Sequence, residues 1–357
     1  MRPQDPPPRS ASPHIEVVRR PSRRDVLKIG MVAAAGVAGL TSLSACAAVP
    51  KPAAPGTPQV RGGVYSHGAT GGGLKDTLDP HFPVTVPDIA RCFQLYEPLL
   101  RWNAEYQIEP SVAESVTPNA DNTQWTILLR DGVQFHNGKT VTAEDVMFTL
   151  ARVTDPKKPG SGGTELATIL ELNNSRIVDP RTILLQLNSP YAVLDQLLAE
   201  YTVGVVPTDF DVKNPVGTGP FALRTFVPGQ LSRMARHDNY WDGPAFVDEL
   251  FIYDFSDDAA KVNALLAGQV QSVDNLPTYL SETIQQQGAS PLASESGAWV
   301  PFTMRVDQAP FSDVRVRQAL RLVVDRQQMI DQALNGFGVL GNDMYSPFDP
   351  AYAKDLP

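Results

Sequence analysis

The sequence predicts a mixed α/β fold, and three observations carry that prediction. Short β-branched or aromatic runs, bounded by turn residues, alternate with capped helical segments along the chain. Hydrophobic residues make up 42% of the 357 positions, enough to build real cores. No repeat of fixed period points instead to a solenoid or propeller. Folded sequence starts near Gly62-Gly63-Val64-Tyr65. Strands are predicted over Trp125–Leu129, Ile183–Leu187, Phe221–Phe226, Leu231–Arg236, Glu249–Phe255 and Val300–Val306, with a further extended segment at Tyr201–Val203. Thr142 is placed to cap a helix over Ala143–Val153, with Asp145 in its first turn. A helix over Asp257–Leu266 is closed by Gly268. Asp313 caps Val314–Val324, and Asp325 starts a second helix that Gly336 ends.

The first fifty residues read as an export and anchoring address. Ser22-Arg23-Arg24-Asp25-Val26-Leu27-Lys28 has the twin-arginine pattern, and an apolar run from Ile29 to Leu43 follows it. Leu43-Ser44-Ala45-Cys46 is the small-residue box that precedes a lipidated cysteine. Charge, apolar run and cleavage box in that order define a bacterial signal peptide. The run is too short for an ordinary membrane span, and Gly30, Gly36 and Gly39 dilute it. The expectation is twin-arginine export and a lipid anchor on Cys46, either outside the cytoplasmic membrane or in the periplasm. The Pro/Ala-rich stretch after Cys46 reads as a tether, and residues 1–15 as disordered.

Charge narrows the partners. The chain carries −9; residues 1–45 hold seven basic and three acidic side chains, which leaves −13 on the remainder. That balance argues against nucleic acid, whose phosphates reward basic patches. With Cys46 acylated, Cys92 has no intrachain partner and reads as a buried small hydrophobe.

Catalytic signatures are missing from the sequence. Gly217-Thr218-Gly219-Pro220-Phe221-Ala222 matches the loose dinucleotide pattern, with Asp238 about twenty residues on. Pro220 removes one of the N–H groups that pattern needs, and a strand follows where a helix should. A tight turn whose glycines allow unusual backbone angles is the better reading. His14, His67, His81, His136 and His237 are scattered without metal spacing, so His81 reads as a turn histidine and His237 as a surface one. Neither a Gly-x-Ser-x-Gly elbow nor a Ser-x-x-Lys pair occurs, which speaks against a secreted hydrolase. No cofactor is expected.

The order of the motifs resembles one family. Leu78-Asp79-Pro80-His81 is followed by Tyr96-Glu97-Pro98-Leu99-Leu100, then by Trp125 to Gly138 leading into Thr142-Ala143-Glu144-Asp145-Val146. Gly217-Thr218-Gly219-Pro220, Asn239-Tyr240-Trp241, Ala264-Leu265-Leu266-Ala267-Gly268 and Pro310 to Ala319 complete the series. The set is similar to the family 5 solute-binding proteins, the extracellular subunits of ABC importers for peptides and nickel. The resemblance implies a two-lobed periplasmic-binding-protein-like fold of type II, with an extra subdomain in the first lobe.

It further implies a division into leader (1–45), tether (46–61), first lobe (62–98 and 211–297), extra subdomain (99–210) and the start of a second lobe (298–357), which is therefore expected to be incomplete. The implied function is capture of a peptide or similar small organic solute, passed by a monomer to a permease and its ATPase. The implied solute wall comprises Phe82, Val84, Thr85, Tyr201, Thr202, Gly217 and Thr218. The nickel subgroup carries arginines before a proline like Pro207; Glu200 to Val206 has none, so a nickel complex ranks below peptides. The alternative reading is a periplasmic lipoprotein outside transport, chaperone-like or a fragment that binds nothing.

Overall fold

The computed structural model describes residues 15–19, 61–294, 297–298, 301–341 and 352–353. Arg23, Arg24, Cys46 and the tether lie outside the described residues. In chain order the elements begin with β1 (Ile15–Arg19), β2 (Val64–Thr70), α1 (Val86–Leu95), β3 (Leu100–Trp102), β4 (Ile108–Pro110), β5 (Ala113–Pro118) and β6 (Gln124–Leu129). Next come α2 (Ala143–Val153), α3 (Gly163–Ile169), β7 (Arg176–Asp179), β8 (Thr182–Gln186), α4 (Leu194–Leu198), β9 (Phe221–Val227), β10 (Leu231–Arg236) and β11 (Glu249–Phe255). The series ends with α5 (Asp258–Leu266), β12 (Ser272–Val273), α6 (Ser281–Gln286), β13 (Ala289–Ala293), α7 (Val314–Val323) and α8 (Arg326–Ala333).

Two compact units divide the chain: residues 53–261 form one, and residues 262–357 with 1–52 form the other. The first unit has two cores. In the order β5-β6-β8-β7, four antiparallel strands make one sheet. Alternation builds it: Trp125, Ile127 and Leu129 of β6 turn inward, as do Ile183 and Leu185 of β8. They pack with Phe135, Val146, Leu150 and Leu166. The second core lies on β2, β11, β10 and β9, where β2 and β11 run parallel and the other pairs antiparallel. Leu95, Tyr96, Phe221, Met234 and Ile252 fill it.

Capping sets the helix starts as the sequence predicts. Thr142 donates its backbone N–H (3.0 Å) and its hydroxyl (2.8 Å) to Asp145, so one carboxylate closes the first turn of α2. In α1 the same box forms between Thr85 and Asp88. Asp313 accepts from the Arg315 N–H and Asp325 from the Gln328 N–H, which starts α7 and α8. Gly268 and Gly336 take positive φ, 75° and 79°, at the helix ends they were predicted to close.

Two predicted strands are corrected. Tyr201–Val203 is a short 3-10 turn, closed by Val203 N–H to Glu200 carbonyl at 3.0 Å. Its β-branched residues mimic a strand, but the chain arrives from α4 already coiled, and Thr202 and Val203 are buried in that turn. Residues 301–305 carry no regular structure, and turns occupy 306–312. Ile15–Arg19, read as leader, adopts a strand that pairs antiparallel with β12 and β13 in the second unit.

The last two helices of the second unit, α7 and α8, are little buried among the described residues. Over residues 301–341 only Ile330 is buried, while Leu322 and Val323 are 85% and 81% exposed. Helices without apolar cover open locally at low cost. Limited trypsin digestion is therefore expected to cut within 301–341 well before it cuts between Ala143 and Leu187; cleavage in the reverse order, read by mass spectrometry, would contradict this.

Candidate functional site

Most of the motif residues meet one another inside the first unit. Glu97 is buried, and its carboxylate accepts from the Tyr240 hydroxyl (2.7 Å) and from Trp241 Nε1–H (2.9 Å). Burial raises its pKa above the usual carboxylate range, although these bonds pull it back. The Tyr96-Glu97-Pro98 and Asn239-Tyr240-Trp241 motifs are thus two halves of one polar clasp. The Arg130 guanidinium lies 4.2 Å from the Trp241 ring centroid.

The Phe135-His136-Asn137-Gly138 and Gly217-Thr218-Gly219 motifs form a second pairing. His136 Nε2–H donates to the Gly219 carbonyl at 3.0 Å, and the Gly217 N–H donates to Nδ1 at 3.3 Å. Burial holds the His136 pKa down at about 4, so the ring is neutral and can take both roles. His237 packs edge-on against it at 5.1 Å and is half-buried, not a surface residue. The glycines are required here by close approach, which corrects the expectation of unusual backbone angles. A Cβ at Gly217 would lie 1.9 Å from the Leu95 carbonyl oxygen, and one at Gly219 2.4 Å from that of Gln94. Neither takes positive φ.

His81 is fully buried within its turn. It donates from Nε2 to the Gly204 carbonyl at 2.9 Å, and its Nδ1 accepts from Arg152. Arg152 also grips Asp79 with both terminal guanidinium nitrogens, and lies 5.5 Å and 5.3 Å from the ring centroids of Phe82 and Phe210. Burial pushes the His81 pKa down to about 4. Cys92 is buried, its thiol pKa raised by the same desolvation.

The predicted wall residues separate into two groups. Thr85 commits its hydroxyl to Asp76 and its helix-capping role, while Thr202, Gly217 and Thr218 are buried. Phe82, Val84 and Tyr201 present accessible surface, Val84 being 71% exposed. Phe93 joins them: it is 56% exposed on α1, and its ring lies 5.1 Å from that of Tyr201. A signal for Phe93 was present in the sequence, because the helical period that turns Arg91, Cys92 and Leu95 inward turns Phe93 out. Separately, a cavity of about 670 Å³ is lined by Asp76, Thr77, Leu78, His136, Asn137, residues 212–216 and residues 222–226.

Comparison with known proteins now places the chain. The family described as "Bacterial extracellular solute-binding proteins, family 5 Middle" matches residues 107–357, and the chain belongs to it. The oligopeptide-binding protein AppA of Bacillus subtilis is 26% identical over 273 residues, covering 73% of this chain and 50% of that protein. The heme-binding protein A of Haemophilus influenzae is 30% identical over 310 residues, covering 74% and 56%. A solved structure of the periplasmic binding protein DppA from Helicobacter pylori, in complex with the peptide STSA, superposes with a TM-score of 0.67 at 20% identity, over 84% of this chain and 64% of that one. The periplasmic-binding-protein fold is therefore shared. The chain spans about half the length of the curated relatives it matches.

The Glu97 clasp makes a direct prediction. Glu97→Ala leaves the Tyr240 hydroxyl and the Trp241 N–H without their acceptor, at about 1–3 kcal/mol for each donor stranded. Urea denaturation is expected to show that loss, with Glu97→Gln retaining part of it; equal stability of Glu97→Ala and the parent would refute the clasp.

Proposed function

We propose that this protein is the extracellular solute-binding component of an ABC importer, capturing a peptide or similar small organic solute and delivering it to a permease and its ATPase. The observation that carries the reading is the Phe93–Tyr201 aromatic pair, open to water at Phe93, on a chain of the family 5 class. Paired aromatics left open to water supply apolar area at low conformational cost, which suits capture of a small organic ligand. Peptides lead among solutes because AppA is named for oligopeptides and DppA is described with a bound peptide. The fold family and the motif pairings supply structure, and no step of bond chemistry is needed for this role.

The address read from the sequence belongs to the same proposal. Arg23 and Arg24 direct twin-arginine export, and Cys46 takes a lipid that holds the protein at the membrane surface. Changing both arginines to Lys should leave precursor in the cytoplasm, and Cys46→Ser should release the product from membranes. Normal export of the first variant and continued acyl labelling of the second would each remove its part of the proposal.

Binding is tested with tetra-alanine as the probe. Thermal stabilisation by the peptide is expected for the parent protein. Tyr201→Ala and Phe93→Ala should each weaken it about tenfold, the equivalent of ~1.4 kcal/mol, without lowering the melting temperature of the free protein. Affinity unchanged in both variants would move the solute off this wall.

A further inference from the structure

One guanidinium, on the helix that carries Phe93, holds three buried carboxylates. Arg91 is 1% exposed and lies on the inward face of α1. Its Nη2 is 3.0 Å from Asp76 Oδ2 and 3.2 Å from Asp88 Oδ1, and its Nη1 is 3.5 Å from Asp254 Oδ1. Nη1 also donates to Ser232 Oγ at 3.4 Å, and the guanidinium stacks 4.9 Å from the Phe226 centroid. The same carboxylates bind the loop that carries Phe82 and Val84. Asp76 accepts from the Gly73 N–H (3.0 Å), the Thr85 hydroxyl (3.1 Å) and the Gly229 N–H (3.0 Å). Asp88 accepts from the N–H groups of Thr77, Val84 and Thr85, at 2.9, 3.0 and 3.1 Å. Each of these loop anchors ends on a carboxylate that Arg91 contacts, the Thr77 N–H on the very oxygen it touches and the others on its neighbour.

Two buried atoms of the cluster break the pattern, Arg91 Nε and one carboxylate oxygen. Asp254 Oδ2 is buried and receives no donor, although its carboxyl lies within hydrogen-bonding reach of Asp76. Two carboxylates cannot bond each other unless one carries a proton. The geometry points to Arg91 as the positioning residue of the solute wall, completed by one proton held between Asp76 and Asp254. This rests on the reading of Phe82, Val84, Phe93 and Tyr201 as that wall.

Proton linkage follows from the surroundings. The charged groups facing Asp254 are Arg91, Asp76 and Asp88. Burial, then Asp76, raise the Asp254 pKa to about 7. A carboxyl raised in the folded state contributes stability that is complete below its ordinary value of 3.8, and lost as pH rises through about 7. His81, in the same loop, titrates in the opposite sense. Its effect is common to any pair of variants that both keep it, and cancels in their ratio.

Hydrogen exchange over residues 73–85, corrected for intrinsic rates, tests this without a ligand. Asp254→Asn supplies an amide donor to Asp76 at every pH. The protection of wild type divided by that of D254N is expected to fall by up to tenfold per pH unit from pH 5 to about 7, then to level off. A ratio that stays constant from pH 5 to 8 overturns the proton. Arg91→Lys keeps a charge but loses the planar fork. It should lower protection of 73–85 at least tenfold while amides of Ala143–Val153 keep theirs. Equal loss in both segments overturns the positioning role. Thermal stabilisation by tetra-alanine is measured in parallel on wild type. Its absence, with exchange behaving as expected, removes the peptide reading and leaves the positioning of the loop intact.

Discussion

A guanidinium placed in a protein interior is costly unless every face of it is used. Arg91 comes close to that condition with Asp76, Asp88, Asp254, Ser232 and the Phe226 ring, its buried Nε being left without an acceptor among the described residues, and these contacts tie several elements of the first unit together. Asp88 starts α1, Asp76 reaches the turn at Gly229, and Asp254 belongs to β11. One side chain therefore joins a helix, a loop, a hairpin turn and a central strand. Removing one partner from such a group strands buried charge, at about 3–5 kcal/mol. That is a large share of the stability of an ordinary domain.

The two motif pairings work in the same way at other places. Glu97 ties the start of the extra strands to Tyr240 and Trp241, and His136 ties a hairpin to the Gly217–Gly219 turn. In each case the bonds are at least partly shielded from water and match donor to acceptor, so they specify the path of the chain. This division of labour explains why the ordered motifs identify the family while saying little about the solute. The Phe93–Tyr201 pair stands outside these pairings, with Phe93 open to water. Those residues can vary without disturbing a buried network.

Local chemistry was the legible part of the chain. Thr142 with Asp145, Asp313, Asp325, Gly268 and Gly336 each act where side-chain and backbone preferences place them, because a cap is decided within four residues. Strands such as β6 and β8 were legible for a related reason, since alternation reports which face is buried. The mixed α/β class and the absence of a dinucleotide loop follow from the same local evidence.

Other features were decided only when distant segments met. Tyr201–Val203 has strand composition, yet its placement after α4 makes it a turn. Gly217 and Gly219 are glycine because the Leu95 and Gln94 carbonyls pass within 2.4 Å of where a Cβ would stand, a contact across more than a hundred residues of chain. The sequence shows Arg91, Asp76, Asp88 and Asp254 as four ordinary surface-type residues. Their burial, the orphaned Asp254 oxygen and the exposure of Phe93 beside Tyr201 depend on tertiary packing, since desolvation and ion pairing are properties of neighbours and not of spacing. The sequence by itself thus determined the local grammar of caps, strands and motif order, and the tertiary structure decided which charges are buried together and which rings stay open to water.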